Sequence, residues 1–147
     1  MDQFFASLHP ALVSFPFVTV WLIVILEVVS FKGDEFGKVS TGIFALTAIT
    51  TLFSYLTGHE ASEFASQTFS VPDSAIGTHF LWAKISLFTV IPCFGLKLVS
   101  LFSKHKQEMW RNVYLLTLLA SAFLLTYTGW LGGRLVFEYG AGVAAKI

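Results

Sequence analysis

Charge and sulfur are both scarce in this chain. Only 12% of its 147 residues are Asp, Glu, Lys or Arg, about half the share that an average soluble domain carries. A water-soluble protein of this size needs such groups on its helix exteriors, so the deficit excludes that class. Nine basic and nine acidic residues cancel, which leaves neither a polybasic tether nor a surface for nucleic acid. Cys93 is the single cysteine, and this excludes an intrachain disulfide, a CxxC redox motif and the CxxCH attachment of a c-type haem. A Gly-rich phosphate loop, a dinucleotide fingerprint and a nucleophile–base pair are also missing. A catalytic active site of the chain's own is therefore not expected.

What is abundant is apolar: 55% of the residues are hydrophobic, 16 are Phe, and the mean hydropathy is +0.74. Four apolar runs reach about 20 residues, the length that crosses a bilayer core. They lie at about 10–31, 39–57, 80–102 and 113–137. These runs predict an all-α, integral membrane protein: a single four-helix transmembrane domain over residues 1–147, folded as an up-down-up-down bundle. The first run is expected to be retained, because Met1–Leu8 lacks the basic start of a secretory signal and no small-residue cleavage site follows. Pro10 is expected at the first helical position of span one and Thr78 as the N-cap of span three. Pro16 and Pro92 are expected to bend their helices.

Lys and Arg favour the cytoplasmic side of a membrane. Lys32 and Lys38 fall between spans one and two, and Lys104, Lys106 and Arg111 between spans three and four. The middle connection carries only Glu60, Glu63 and Asp73. The pattern predicts that both termini face the outer, non-cytoplasmic side. His9, His59 and His79 then gather at the outer face with Arg134 and Glu138, while His105 sits alone in a basic loop at the inner one.

Three imidazoles at one end of an apolar bundle suit a b-type haem, which needs neutral imidazoles on opposing walls and flat apolar space between them. Spans one and three oppose each other in a simple bundle, so His9 and His79 are the expected axial ligands, with Arg134 placed for a propionate and Gly132 and Gly133 as a flat wall. A competing metal site combines His9, His59, Glu63 and His79, since His59 and Glu63 share a helix face at i, i+4, and would take zinc, copper or non-haem iron. The plain alternative is that each histidine is a polar-tipped residue near the headgroups.

Glu27 and Lys97 lie at similar depth in spans one and three, which suggests a structural pair or two snorkelling side chains. Lys84 is placed to reach headgroups or an anionic cofactor group. Thr47, Thr51, Ser54 and Gly58 form a small-residue stripe on span two, and Gly129 and Gly133 a GxxxG pair on span four. Such stripes let helices pack closely, within a bundle or between copies in a homo- or hetero-oligomer through helices 2 and 4. Trp82, Trp110 and Trp130 fit aromatic belts at the two interfaces.

Several of these motifs occur together in one known family. The opening His9-Pro10-Ala11-Leu12-Val13-Ser14-Phe15-Pro16, the Thr57-Gly58 pair, His79, and the run from Gly132-Gly133-Arg134 through Glu138-Tyr139-Gly140 to Val143 resemble the bacterial four-helix membrane family known as domain of unknown function 2231. The resemblance covers nearly the whole chain. This chain departs from the pattern at Ser14 and Tyr139, where many members have histidine. Some members occur joined to cytochrome c or Rieske iron–sulfur modules, which implies respiratory or periplasmic redox work. The resemblance and the histidine placement together point to a cytochrome b-like electron-transfer protein between a quinone or membrane partner and a periplasmic cytochrome c or Rieske protein. A cofactor-free structural subunit of a larger membrane complex and a histidine-based metal-ion handling or transport protein are the rival readings.

Overall fold

The computed structural model describes residues 3–30, 35–103 and 106–142. They form four helices: α1 Gln3–Ser30, α2 Glu35–Phe69, α3 Asp73–Phe102 and α4 Gln107–Tyr139. All four contain stretches long and apolar enough to cross a membrane. Phe137, Phe102 and Leu116 are 91%, 80% and 70% exposed; lipid rather than water is the medium in which so much apolar surface is stable.

The helices are longer than the apolar runs in them. The hydropathy of span two ends near Thr57, yet α2 continues to Phe69, about 18 Å further at 1.5 Å per residue. Residues such as Glu60, Ala61, Glu63 and Ala65 favour a helix without being hydrophobic, so the span ends where the helix does not. The expected middle loop is in fact a helical hairpin turning at residues 70–72. Ser70 there takes a left-handed conformation with φ 54°, and Val71 tucks inward, its N–H 3.5 Å from the Ala65 carbonyl.

Two expected helix starts are corrected by the same extension. The helix α3 begins after Pro72, so Thr78 is no cap; its hydroxyl donates to the Ser74 carbonyl at 2.8 Å, and His79 lies nearly two turns inside. The helix α1 begins before Pro10, and α1 and α3 run on through Pro10, Pro16 and Pro92. His105 lies outside the described residues.

Each helix packs on its sequence neighbours, and α4 closes the ring on α1, leaving α1 and α3 on one diagonal. The pairs α1–α2 and α3–α4 are packed more closely than the others. The bundle is thus two tight hairpins laid together. Its solid core sits toward the loops that carry the lysines, where Val20, Ile23, Phe44, Val90, Cys93 and Tyr114 are fully buried. Interhelical hydroxyl bonds support it: Thr47 donates to Thr19 at 2.7 Å, and the Trp21 indole donates to Thr126 at 3.0 Å. Such bonds average about 0.6 kcal/mol in membranes.

Candidate functional site

At the other end the two hairpins separate around a cavity of about 870 Å³, near the top of the range for small-molecule sites. Small residues contribute to it. Gly58, Ala61, Ala83, Gly129, Gly132 and Gly133 line this half, where the solid half has Phe44, Ile23 and Tyr114. Three members of the α2 stripe, Thr51, Ser54 and Gly58, face the cavity, while Thr47 bonds to α1 and Gly129 lies against Phe17. Both stripes thus face the bundle interior.

His9 and His79 line the cavity from the diagonal helices α1 and α3. The same local arrangement holds each ring. A Cβ on Gly58 of α2 would come 3.3 Å from His9 Cε1, and a Cβ on Gly132 of α4 would come 3.2 Å from His79 Cε1. In each hairpin the partner helix therefore lets an imidazole lie on its bare backbone. The Ser54 carbonyl, four residues before Gly58, faces the His9 ring. The Thr128 carbonyl, four residues before Gly132, faces His79.

A hydroxyl of α2 lies beside the His9 ring. Its Nδ1 lies 3.2 Å from Thr57 Oγ1. The single Thr57 hydroxyl proton is directed at its own helix, toward the Phe53 carbonyl at 2.9 Å. With its proton so placed, the Thr57 oxygen is free to accept from Nδ1, an arrangement that goes with the tautomer whose Nε2 keeps a lone pair. That is the form in which a histidine ligates a metal, its far nitrogen oriented by a second polar group. His79 is less satisfied: its Nδ1 is buried and makes no hydrogen bond of good geometry, and a buried polar atom in that state costs about 1–3 kcal/mol.

The remaining sequence candidates are dispersed. Gly132 and Gly133 line the cavity as expected. His59 follows Gly58 by one residue and is turned out of the cavity; its Nε2 is 3.5 Å from Glu63 Oε1, with side chains 71% and 58% exposed. Among the described residues, no three His, Cys, Asp or Glu side chains come together as a metal-binding group, so His9, His59, Glu63 and His79 are not assembled into one site. Arg134 does not line the cavity. It makes a two-pronged ion pair with Glu138 at 2.6 and 2.7 Å and lies over the Trp130 ring. Lys84 is exposed and also outside the cavity. Ser14 and Tyr139, the two departures from the family pattern, are likewise not part of the lining.

Sequence reasoning placed Glu27 and Lys97 at one depth, and they form a buried ion pair of 2.6 Å across the α1–α3 diagonal. It missed their companions. Ser40 donates to the same Glu27 oxygen at 2.5 Å, and Lys97 Nζ lies 5.1 Å from the centre of the Tyr114 ring. It also missed the part played by Thr57, for which the adjoining Gly58 was the available signal.

No curated protein and no solved structure matches the chain. A family model does: with residues 6–145 matched by the one described as Predicted membrane protein (DUF2231), a stretch that takes in all four helices beyond the first residues of α1, the chain belongs to that family.

Proposed function

We propose that this is a membrane electron-transfer protein that holds a b-type haem in the cavity between its two hairpins, with His9 and His79 as axial ligands. The observation that carries the reading is the repeated histidine-on-glycine arrangement on diagonal helices, facing one apolar cavity. The donor set fits: two imidazoles line one cavity from diagonal helices, and Thr57 beside His9 Nδ1 is placed to orient that ring. The glycine and alanine walls suit a flat ring.

Bound there, haem would supply a one-electron couple, its potential set by axial ligation and burial. The chain's own residues do the rest. His9 and His79 bind and orient, Thr57 fixes the His9 tautomer, the small residues admit the ring and exclude water, and the rigid hairpins fix its distance from a partner. The Lys- and Arg-bearing connections lie at the opposite end, with Lys38, Lys106 and Arg111 among the described residues. By the positive-inside bias the histidine end faces the periplasm of a bacterial inner membrane. A cytochrome c or Rieske protein would dock on that side, and a quinone would exchange electrons from the bilayer.

The test is an optical spectrum of detergent-purified protein from haem-sufficient cells, oxidised and then reduced, with metal analysis on the same sample. A Soret band with sharp reduced α and β bands, lost in both His9→Ala and His79→Ala, is expected. A colourless, metal-free protein overturns the reading in favour of a structural subunit. Bound metal without porphyrin favours metal-ion handling.

A further inference from the structure

The exposure of its lining gives the histidine cavity a direction. Among the described residues that line it, the exposed ones are Pro10 and Phe17 of α1, Gly129 and Val136 of α4, and Gly142 just past α4, whereas those contributed by α2 and α3 are buried or half-buried. The cavity therefore opens through the seam between the first helix and the last. The opposite seam is shut by the Tyr55 ring of α2 against the Phe80 ring of α3, their centres 5.1 Å apart. Deeper in the bundle the α1–α4 seam is fastened: Trp21, one turn beyond Phe17, donates its indole N–H to Thr126, three residues before Gly129.

Depth decides what can pass. Phe17 lies nine residues inside the span Leu8–Ser30, and Gly129 ten residues inside Gln107–Tyr139, about 14–15 Å from the outer ends. In a hydrocarbon core about 30 Å thick this part of the slot faces lipid tails, so a molecule that enters there is dissolved in the bilayer and carries no charge. On the α4 side the slot is flat: Gly129 and Gly133 are one turn apart, and a Cβ on Gly133 meets nothing within 4 Å. On the α1 side stands the Phe17 ring, 3.7 Å from where a Cβ on Gly129 would be. Donors wait inside. Thr128, next to Gly129, and Ser86 of α3 share one hydrogen bond of 2.9 Å, which uses one of their two hydroxyl protons and leaves the other for an acceptor. The Ser54 hydroxyl on the α2 wall is buried without a hydrogen-bond partner. A flat, uncharged, lipid-soluble ring that bears carbonyl oxygens matches all of these features.

We propose that the α1–α4 slot is the binding site and bilayer entrance for a quinone, with its ring on the Gly129–Gly133 face beside Phe17, a carbonyl oxygen toward the Thr128 and Ser86 hydroxyls, and its tail left in the lipid. The slot lies off the α1–α3 diagonal, so the ring sits beside the space between His9 and His79 rather than in it. That the ring is a quinone and not another neutral lipid rests on the electron-transfer reading; the place and direction of the opening do not.

The experiment uses the full chain as purified, in phosphatidylcholine nanodiscs, and labels it by light with an azido derivative of decylubiquinone. Labelled peptides are expected from residues 10–17 and 129–136, and excess decylubiquinone is expected to abolish the labelling. Val136→Phe fills the slot from an exposed position and Gly133→Leu from open space; each is expected to weaken the displaceable labelling about ten-fold at unchanged helix content. Labelling spread over all four helices, labelling that excess decylubiquinone does not remove, or undiminished labelling of both variants overturns the proposal. Displacement by 1-decanol as effective as by decylubiquinone also overturns it and assigns the slot to acyl chains. The optical spectrum of the same sample keeps the two readings apart. A colourless protein labelled in the slot loses the haem and keeps the quinone site, and a haem-bearing protein labelled elsewhere does the reverse.

Discussion

The Lys97 ammonium lies 2.6 Å from Glu27 Oε1, and this buried contact joins α1 to α3 on the diagonal along which His9 and His79 face the cavity. One pair of helices is therefore tied at one end and parted at the other. Burying two charges is costly, and the geometry here supplies the compensation: a short ion pair, a Ser40 donor at 2.5 Å and the Tyr114 ring face beside the ammonium.

Lys97→Met leaves the Glu27 carboxylate buried and unpaired, and is expected to destabilise by about 3–5 kcal/mol. Combining it with Glu27→Gln should recover most of that loss, since no uncompensated charge remains. Reversible unfolding of the single and double variants in detergent checks this. Equal stability of Lys97→Met and the wild type would mean that the two residues reach water.

The glycines offer a sharper comparison, because three of them lie on the same cavity with different surroundings. A methyl on Gly58 or Gly132 meets His9 or His79 at 3.3 or 3.2 Å, whereas one on Gly133 meets nothing within 4 Å. Alanine in a helix interior is favoured over glycine by about 1 kcal/mol. Gly133→Ala should therefore stabilise by up to that amount. Gly58→Ala and Gly132→Ala should stabilise less, and they should shift any absorption band because the imidazole must move by a few tenths of an ångström. Melting curves and spectra of the three variants decide it; a uniform response would place the rings elsewhere.

The four spans, their antiparallel order and the diagonal placement of His9 and His79 were all legible in the apolar runs and the positions of charge. Two features were not, for identifiable reasons. Hydropathy marks where a helix leaves the membrane, not where it stops, so α2 beyond Thr57 and α3 before Phe80 read as loop. Depth alone also made His59 look equivalent to His9 and His79. Helical phase separates them: Thr47, Thr51, Ser54 and Gly58 mark the inward face of α2, and one further residue turns His59 about 100° away from it. Ser40 and Tyr114 carried no local signal, since their partnership with Glu27 and Lys97 exists only after folding.

His59→Ala should accordingly leave helix content, thermal stability and any bound cofactor unchanged. Its side chain is 71% exposed and touches only Glu63 among the contacts described. Optical spectra and metal analysis of His59→Ala beside His9→Ala provide the check. Loss of the same metal from both variants would mean that the four-residue metal site assembles after all.

Thr57 provides the finest discrimination, because its part in the site is to position another residue. Its hydroxyl lies 3.2 Å from His9 Nδ1 and 2.9 Å from the Phe53 carbonyl of α2, so by donating to α2 and accepting from Nδ1 it would select the tautomer that leaves Nε2 available. Thr57→Val keeps the shape of the side chain and removes the acceptor, whereas Thr57→Ser keeps the acceptor and removes a methyl. A ligating histidine deprived of such a partner loses about 10–100-fold in affinity for its metal group. Thr57→Val is therefore expected to weaken haem binding by that factor and to shift the reduction potential at nearly unchanged helix content, and Thr57→Ser should restore both. If both variants bind haem as tightly as the wild type and keep its potential, the His9 ring is oriented by Gly58 and the Ser54 carbonyl alone. If His9→Ala also leaves the spectrum intact, His9 is not a ligand and the hydroxyl contact belongs only to helix packing.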